Sequence, residues 1–346
     1  MSETVRSAFR SQADWCDRLG SPFTARVCRL CAENLTPQIP IAATILNWPG
    51  DPSSAADSVP LRAAGALHYL ARNETSAALH AVYPPYKAHD DELWSAIKSA
   101  LIAHDDVFRT YLASPPQTNE VMRSAALFPG LLKIAELTRL PLELYEIGAS
   151  AGLNLIADRY RYQFGAVSWG DQSSPVLIQP QWQGPLPPLD ATLKINTRHG
   201  VDLNPIDLRD QDAQQRLLSY VWADQDARLQ RLSAAISLWQ LDPPIIEHAD
   251  AAQWLESSRI TQADEGKTRV LFHSITWSYF PEEIKQRITT LMQDCGAKSS
   301  INAPLAWLRF ELSAAAAKLR LRLWPSGEDL LLCTGHPHGS DIQWLG

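Results

Sequence analysis

The sequence predicts an α/β protein in two parts, an all-α N-terminal domain over 1–113 and a domain over 114–346 built on a mostly parallel, seven-stranded sheet. Three patterns predict it. Apolar residues upstream recur at helical spacing, apolar strand-like runs alternate with amphipathic helices downstream, and the chain closes on two alternating runs about a turn.

Upstream, Val5, Phe9, Cys16 and Leu19 share one helical face, as do Leu61, Ala64, Leu67 and Ala71. Trp94, Ile97, Leu101, Phe108 and Tyr111 continue the pattern, with prolines and Asp-Pro-Ser-Ser as punctuation. After Pro115-Pro116 comes a polar cluster, Gln117 to Glu120, and then an apolar helix over 121–137. Strands are predicted at 142–147, 192–201, 244–247, 269–273 and 305–310. Helices are predicted over 211–240, broken near Ala223-Asp224, and over 251–257 and 281–292, the last opening on Pro281 with Glu282 and Glu283 in its first turn. Leu319 to Trp324 and Asp329 to Cys333 flank Pro325-Ser-Gly-Glu and read as an antiparallel hairpin. The Pro-, Gln- and Trp-rich stretch over 162–190 reads as an insertion.

Composition bounds the function. With 45% hydrophobic and 20% charged residues in 346 the chain is globular, and a net charge of −7 argues against a nucleic-acid-binding surface. No run approaches the roughly 20 apolar residues of a membrane helix, and the first residues lack the order of a secretion signal. A cytoplasmic protein with a small-molecule substrate is the expectation, with oligomeric state open. Five cysteines make no disulfide framework, and Cys28-x-x-Cys31 lacks a second Cys or His pair at zinc spacing, so no metal is expected. His336-Pro-His338 reads as a surface loop.

The chemistry concentrates at 146–152, where a strand enters a turn of small residues followed by the first turns of a helix. Gly148-Ala-Ser150-Ala-Gly152 has the form of a nucleophile elbow, with Asp250 and His336 as conceivable triad partners. An elbow needs strands and an oxyanion loop upstream, however, and helices stand there instead. A dinucleotide fingerprint needs glycines at 148, 150 and 153, where the chain has Ser150 and Leu153 in the last two places. Glycines at 148 and 152, two and six residues after Glu146, resemble the loop of S-adenosylmethionine methyltransferases, which would put Glu146 near the cofactor ammonium. The alternative is that Glu146 caps the helix and the glycines close a tight turn. Asp202 at the second strand end suits a ribose diol, and Asp250 at the third suits an adenine amino group; each also suits a turn or an N-cap.

The runs Pro115-Pro-Gln-Thr-Asn-Glu-Val121, Glu146-Ile-Gly-Ala-Ser-Ala-Gly-Leu-Asn-Leu155, Asp158-Arg-Tyr-Arg-Tyr162, Trp169-Gly-Asp171, Gly200-Val-Asp-Leu-Asn-Pro205 and Phe272-His-Ser274 resemble those of an uncharacterised bacterial family, domain of unknown function 2332. The resemblance spans essentially the whole chain. Its C-terminal part is similar to class I methyltransferases, which implies a Rossmann-like core and S-adenosylmethionine as cofactor. The implied cofactor set is Glu146, Gly148, Ser150, Gly152, Asn154, Asp202, Asn204 and Asp250. Two departures are visible: the stretch between the glycine loop and Asp202 is long, and little helix separates the fifth strand from the hairpin. The fourth strand ends at His273-Ser274, which makes His273 the candidate base and Tyr279 a candidate for orienting the acceptor; Trp277 lies between them. Gln117, Asn119, Glu120 and Arg123 are the candidate substrate contacts, read alternatively as a helix cap with a solvated face. The function expected is methyl transfer to an unidentified small molecule, with a nonenzymatic cofactor-binding protein and a serine hydrolase using Ser150 as the other readings.

Overall fold

A computed structural model describes residues 2–313 and 316–346. The chain divides into two compact units, one of 1–118 with 210–230 and the other of 119–209 with 231–346.

The helical unit contains α1 (Ser2–Arg18), α2 (Pro22–Asn34), α3 (Pro40–Leu46), α4 (Val59–Arg72), α5 (Ala77–His80), α6 (Asp90–Ala103) and α7 (Asp105–Leu112). Beyond α8 (Ser124–Thr138), which belongs to the other unit, it resumes with α9 (Gln211–Ser219) and the start of α10 (Asp226–Leu241). In α1, Val5, Phe9, Ala13 and Cys16 recur every three or four residues, and all are buried in one apolar cluster with α2 to α7. Proline occupies the first turn of α2, α3 and α4, where its missing N–H costs no helical bond.

The sequence assigns 210–230 to the second domain, and side-chain chemistry explains its place in the first unit. Asp224 accepts the Phe23 amide at 2.8 Å and is bonded by the Ser21 hydroxyl, so it satisfies the start of α2. The Ser219 carbonyl lies 3.1 Å from His68 Nδ1, and the Ser219 hydroxyl lies 2.8 Å from the Tyr111 hydroxyl. A Cβ on Gly65 would come within 2.7 Å of the Tyr220 ring, so α4 needs glycine to admit that ring. All five cysteines are free and buried.

The sheet unit holds β1 (Leu142–Ile147), β2 (Arg161–Phe164), β3 (Val167–Trp169), β4 (Leu177–Ile178), β5 (Gln181–Gln183), β6 (Ile195–Asp202), β7 (Ile245–His248), β8 (Thr268–Ser274), β9 (Leu305–Ser313), β10 (Ala316–Trp324), β11 (Glu328–Gly335) and β12 (Asp341–Trp344). Among the described residues its main sheet has nine strands in the order β5-β12-β11-β10-β9-β8-β1-β6-β7. From β7 to β9 every pair is parallel; β9, β10, β11 and β12 then alternate antiparallel, and β5 joins β12 in parallel. The expected seven strands thus become nine. The two additions are short and carry polar residues such as Gln181, Gln183, Asp341 and Gln343, so no apolar run announces them. The inserted stretch forms β2, β3 and β4, a separate sheet in the order β3-β2-β4.

Two helical layers cover the central strands. On one face α8 packs Gly130 against Leu308 and Leu319. On the other, α11 (Ala251–Ser257) and α12 (Glu282–Ala297) close an apolar cluster with Tyr145, Ile147, Val201, Leu271, Leu305 and Trp307. The segment after Gly152, expected to begin a helix, is a 3-10 helix over Leu153–Arg159 that departs from helical geometry at Ile156.

Candidate functional site

The strand β1 is buried along its whole length, its two glutamates included, and sits at the centre of the sheet, with β6 on one side and β8 on the other. From β1 the chain builds outward to β6 and β7, and later to β8 and β9 on the opposite side. Ile147 therefore ends at the point where strand order reverses, and such a point opens a crevice at the carboxyl ends of the strands.

The loop that follows is fixed by its own backbone. Gly148 (φ +67°) and Gly152 (φ +76°) occupy the left-handed region, and so does Ser150 (φ +55°), where an L side chain is strained. A Cβ at Gly148 would run into the Thr276 hydroxyl, and one at Gly152 would come within 2.6 Å of Ile246 Cδ1. Both glycines answer to protein neighbours as well as to turn geometry.

Most amides of the loop are spent on protein. Ala149 donates to the Val201 carbonyl (3.1 Å), Ser150 to Asp202 Oδ2 (2.8 Å), Gly152 to the Ala149 carbonyl (2.7 Å) and Leu153 to Asn119 Oδ1 (2.9 Å). Three of its side-chain oxygens are not. Glu146 Oε2, Ser150 Oγ and Asn154 Oδ1 are buried with no hydrogen-bond partner. Burial drives the Glu146 carboxyl well above the usual carboxylate range; a hydrogen bond from Asn154 opposes this, the nearby Asp202 charge adds to it, and Arg123 works against it. The loop thus offers acceptor oxygens and few free donors, which suits an ammonium or another N–H or O–H group and not a phosphate.

The remaining cofactor candidates have structural partners as well. Asp202 also accepts the Asn204 amide through Oδ1 (2.8 Å), so its carboxylate ties the end of β6 to the glycine loop; Asn204 itself is exposed. Asp250 caps α11 by accepting the Gln253 amide at 3.0 Å.

His273 is fully buried in β8. Its Nδ1 lies 2.6 Å from Glu311 Oε1, its ring stacks on Trp277 at 5.0 Å, and its Nε2 is buried without a partner. Glu311 also accepts the Thr276 amide (3.1 Å), which fixes the carboxylate that fixes the imidazole. A carboxylate can only accept, so Nδ1 is the donor to Glu311, and in a singly protonated ring Nε2 is then an acceptor. The preceding residue, Phe272, is the register partner of Glu146, so side-chain alternation sets Glu146 and His273 on opposite faces of the sheet. Between His273 and Trp277, Ile275 adopts φ +48°, which is costly for a β-branched residue and sharply turns the chain at the end of β8. Tyr279 follows on a short 3-10 helix and is 74% exposed, while the ring neighbours of His273 are Trp277 and Trp307.

Of the polar cluster, Asn119, Glu120 and Arg123 lie in the sheet unit and Gln117 in the helical one. Asn119 holds the Leu153 amide, Glu120 caps a 3-10 turn by accepting the Met122 amide (3.0 Å), and Arg123 donates to the carbonyls of Ser274 and Pro337, both at 3.3 Å. The segment therefore ties the ends of β1 and β8 together. His336 and Pro337 belong to the turn between β11 and β12, where the His338 amide donates to His336 Nδ1 (3.1 Å).

Sequence reasoning missed Glu311, the partner of His273. It stands near the end of β9, where only the parallel register of β8 and β9 reveals the pairing. Among the described residues no group of three or more His, Cys, Asp or Glu side chains is arranged to hold a metal, and no helix is long and apolar enough to cross a membrane.

No curated protein and no solved structure matches the chain. Residues 6–344 match the sequence profile of a family described as an uncharacterized protein conserved in bacteria, DUF2332, and the chain belongs to that family.

Proposed function

We propose that the protein is an S-adenosylmethionine-dependent methyltransferase acting on a small molecule, with a Rossmann-like core formed by β7, β6, β1, β8 and β9. One observation carries the reading: three side-chain oxygens without partners, on Glu146, Ser150 and Asn154, belong to the strand end and loop at the strand-order reversal. They fit the ammonium of the cofactor's methionine part, which needs acceptors, better than the phosphates of a dinucleotide. The residues expected at the ribose and adenine fit less fully, because Asp202 and Asp250 already accept backbone amides.

The cofactor would supply a methyl group on a sulfonium, ready for in-line displacement. In this reading Glu146 and Asn154 would hold the ammonium, and Asp202 keeps the glycine loop in its left-handed turns. His273, oriented by Glu311, would take a proton through Nε2 only from an acceptor that reaches the opposite face of the sheet from Glu146, past Trp277. Tyr279, being exposed, is free to meet the acceptor's outer part.

A second reading, a cofactor-binding protein without turnover, is favoured by the complete burial of His273, which an acceptor reaches only if Trp277 moves. The hydrolase reading has less support, since Ser150 Oγ bonds to no imidazole.

Calorimetric titration with S-adenosylmethionine and S-adenosylhomocysteine tests the proposal. Saturable one-to-one binding of both is expected, and failure of both to bind overturns it together with the second reading. Transfer of labelled methyl groups into a metabolite extract then separates enzyme from binder. Covalent labelling of Ser150 by a fluorophosphonate would bring back the hydrolase.

A further inference from the structure

On the sheet face shared with His273, three arginines converge on one carboxylate. Arg309 Nη2 reaches Asp329 Oδ1 at 2.9 Å and Oδ2 at 2.8 Å, Arg320 Nε reaches Oδ1 at 3.0 Å, and Arg322 Nη2 reaches Oδ2 at 3.0 Å. Arg309 and Arg320 are direct cross-strand partners, a placement in which like charges repel. One aspartate answers three guanidiniums, which leaves a local surplus of two positive charges in a chain whose net charge is −7.

The guanidiniums are held in place before any ligand arrives. Arg309 lies over the Trp307 ring at 4.8 Å and Arg322 over the Trp324 ring at 5.9 Å. Their Nε atoms are buried and have no hydrogen-bond partner. The side chains remain open to solvent, with Arg309, Arg320 and Arg322 at 21%, 41% and 30% exposure. Burial would raise the Asp329 carboxyl, but Arg309 and Arg320 hold it below the usual range, so the resident carboxylate stays charged and the surplus remains two. A hairpin that merely needed pinning has no use for the second and third arginine, whereas a site for a multiply charged oxyanion does, because planar guanidiniums pair with such groups two bonds at a time.

We propose that the face formed by β9, β10 and β11 is a binding site for an oxyanion of two or more negative charges, a phosphate or a polycarboxylate, received by the donors of Arg320 and Arg322 that Asp329 leaves unused. The site is separate from the glycine loop, so its test does not depend on the cofactor reading.

The experiment is calorimetric titration of the full chain with inorganic pyrophosphate and, in a second arm, with citrate, each against sodium chloride at matched ionic strength. Saturable binding of at least one is expected, and the stronger arm identifies the phosphate or the carboxylate class. Arg320→Gln and Arg322→Gln should each weaken it roughly tenfold, while Asp329→Asn, by removing the competing resident anion, should tighten it several-fold. Binding no stronger than the chloride control in both arms overturns the proposal. So does unchanged affinity in Arg320→Gln, whose half-open side chain makes misfolding a poor explanation, or weaker binding in a folded Asp329→Asn.

Discussion

Two buried ionisable side chains, His68 in the helical unit and Glu146 in the sheet unit, are completed differently. In the helical unit His68 is pushed down to about 4, chiefly by burial, yet its Nδ1 meets the Ser219 carbonyl. In the sheet unit Glu146 is pushed up, again chiefly by burial, and one of its oxygens meets nothing. An unsatisfied buried polar atom costs on the order of 1–3 kcal/mol. His68 is therefore a finished piece of packing, and Glu146 is a cost that a ligand would repay. A protein can carry such a cost where a function returns it.

The comparison breaks most visibly at Glu146. Glu146→Gln keeps the shape of the neutral carboxyl but cannot become an anion beside an ammonium, so the affinity for S-adenosylhomocysteine should fall by about 100-fold or more. The pH dependence of stability supplies a second readout. The native carboxyl holds its proton above the range in which the unfolded chain releases it, so its contribution is complete below the ordinary carboxylate range. That contribution is lost as pH rises through the raised native value, at up to about 1.4 kcal/mol per pH unit. Urea midpoints of the Gln variant should lack this decline. If the native protein and the variant track each other from pH 5 to 8, Glu146 is not the strained group described here.

The helical unit provides the mirror image, with a smaller effect. His68 is depressed from 6.5 to about 4, so its contribution is present above pH 6.5 and is lost as pH falls through 4, by about 3 kcal/mol in all. His68→Gln should remove that acid-side loss and leave cofactor binding untouched. An acid limb identical in the two proteins would mean that His68 is charged in the native state.

The same contrast explains what was legible in the sequence. The strands β1 and β8 and the helices α11 and α12 announce themselves through predominantly apolar runs or amphipathic ones, and they appear close to where the sequence pattern places them. The short strands β5 and β12 were not legible, because β5 has no apolar run and the four alternating residues of β12 are too few to mark a strand. Nor was the attachment of 210–230 to the helical unit, since a helical face shows that it packs but not against what; Asp224 over α2 is a long-range fact. At the site, the turn from β1 was readable from Glu146, Gly148 and Gly152. The dyad of His273 and Glu311 was not, because it depends on a parallel register that no local pattern encodes.

Ser150 allows the finest test. Its φ of +55° lies where glycine is at ease and an L residue is strained, while the Ser150 amide and carbonyl are both engaged, by Asp202 and by the Ile206 amide. Ser150→Gly should therefore keep the loop. Relief of the left-handed strain is offset in part by the greater freedom that glycine gives the unfolded chain, which leaves a gain of about 0.5 kcal/mol, and removal of the buried, unpartnered hydroxyl acts in the same direction. Binding of S-adenosylhomocysteine should change by less than about threefold if the hydroxyl is a minor acceptor beside Glu146 and Asn154. A large loss of binding with the fold intact would instead make Ser150 Oγ the principal contact of the site and move the weight of the argument from the carboxyl of Glu146 to the turn itself.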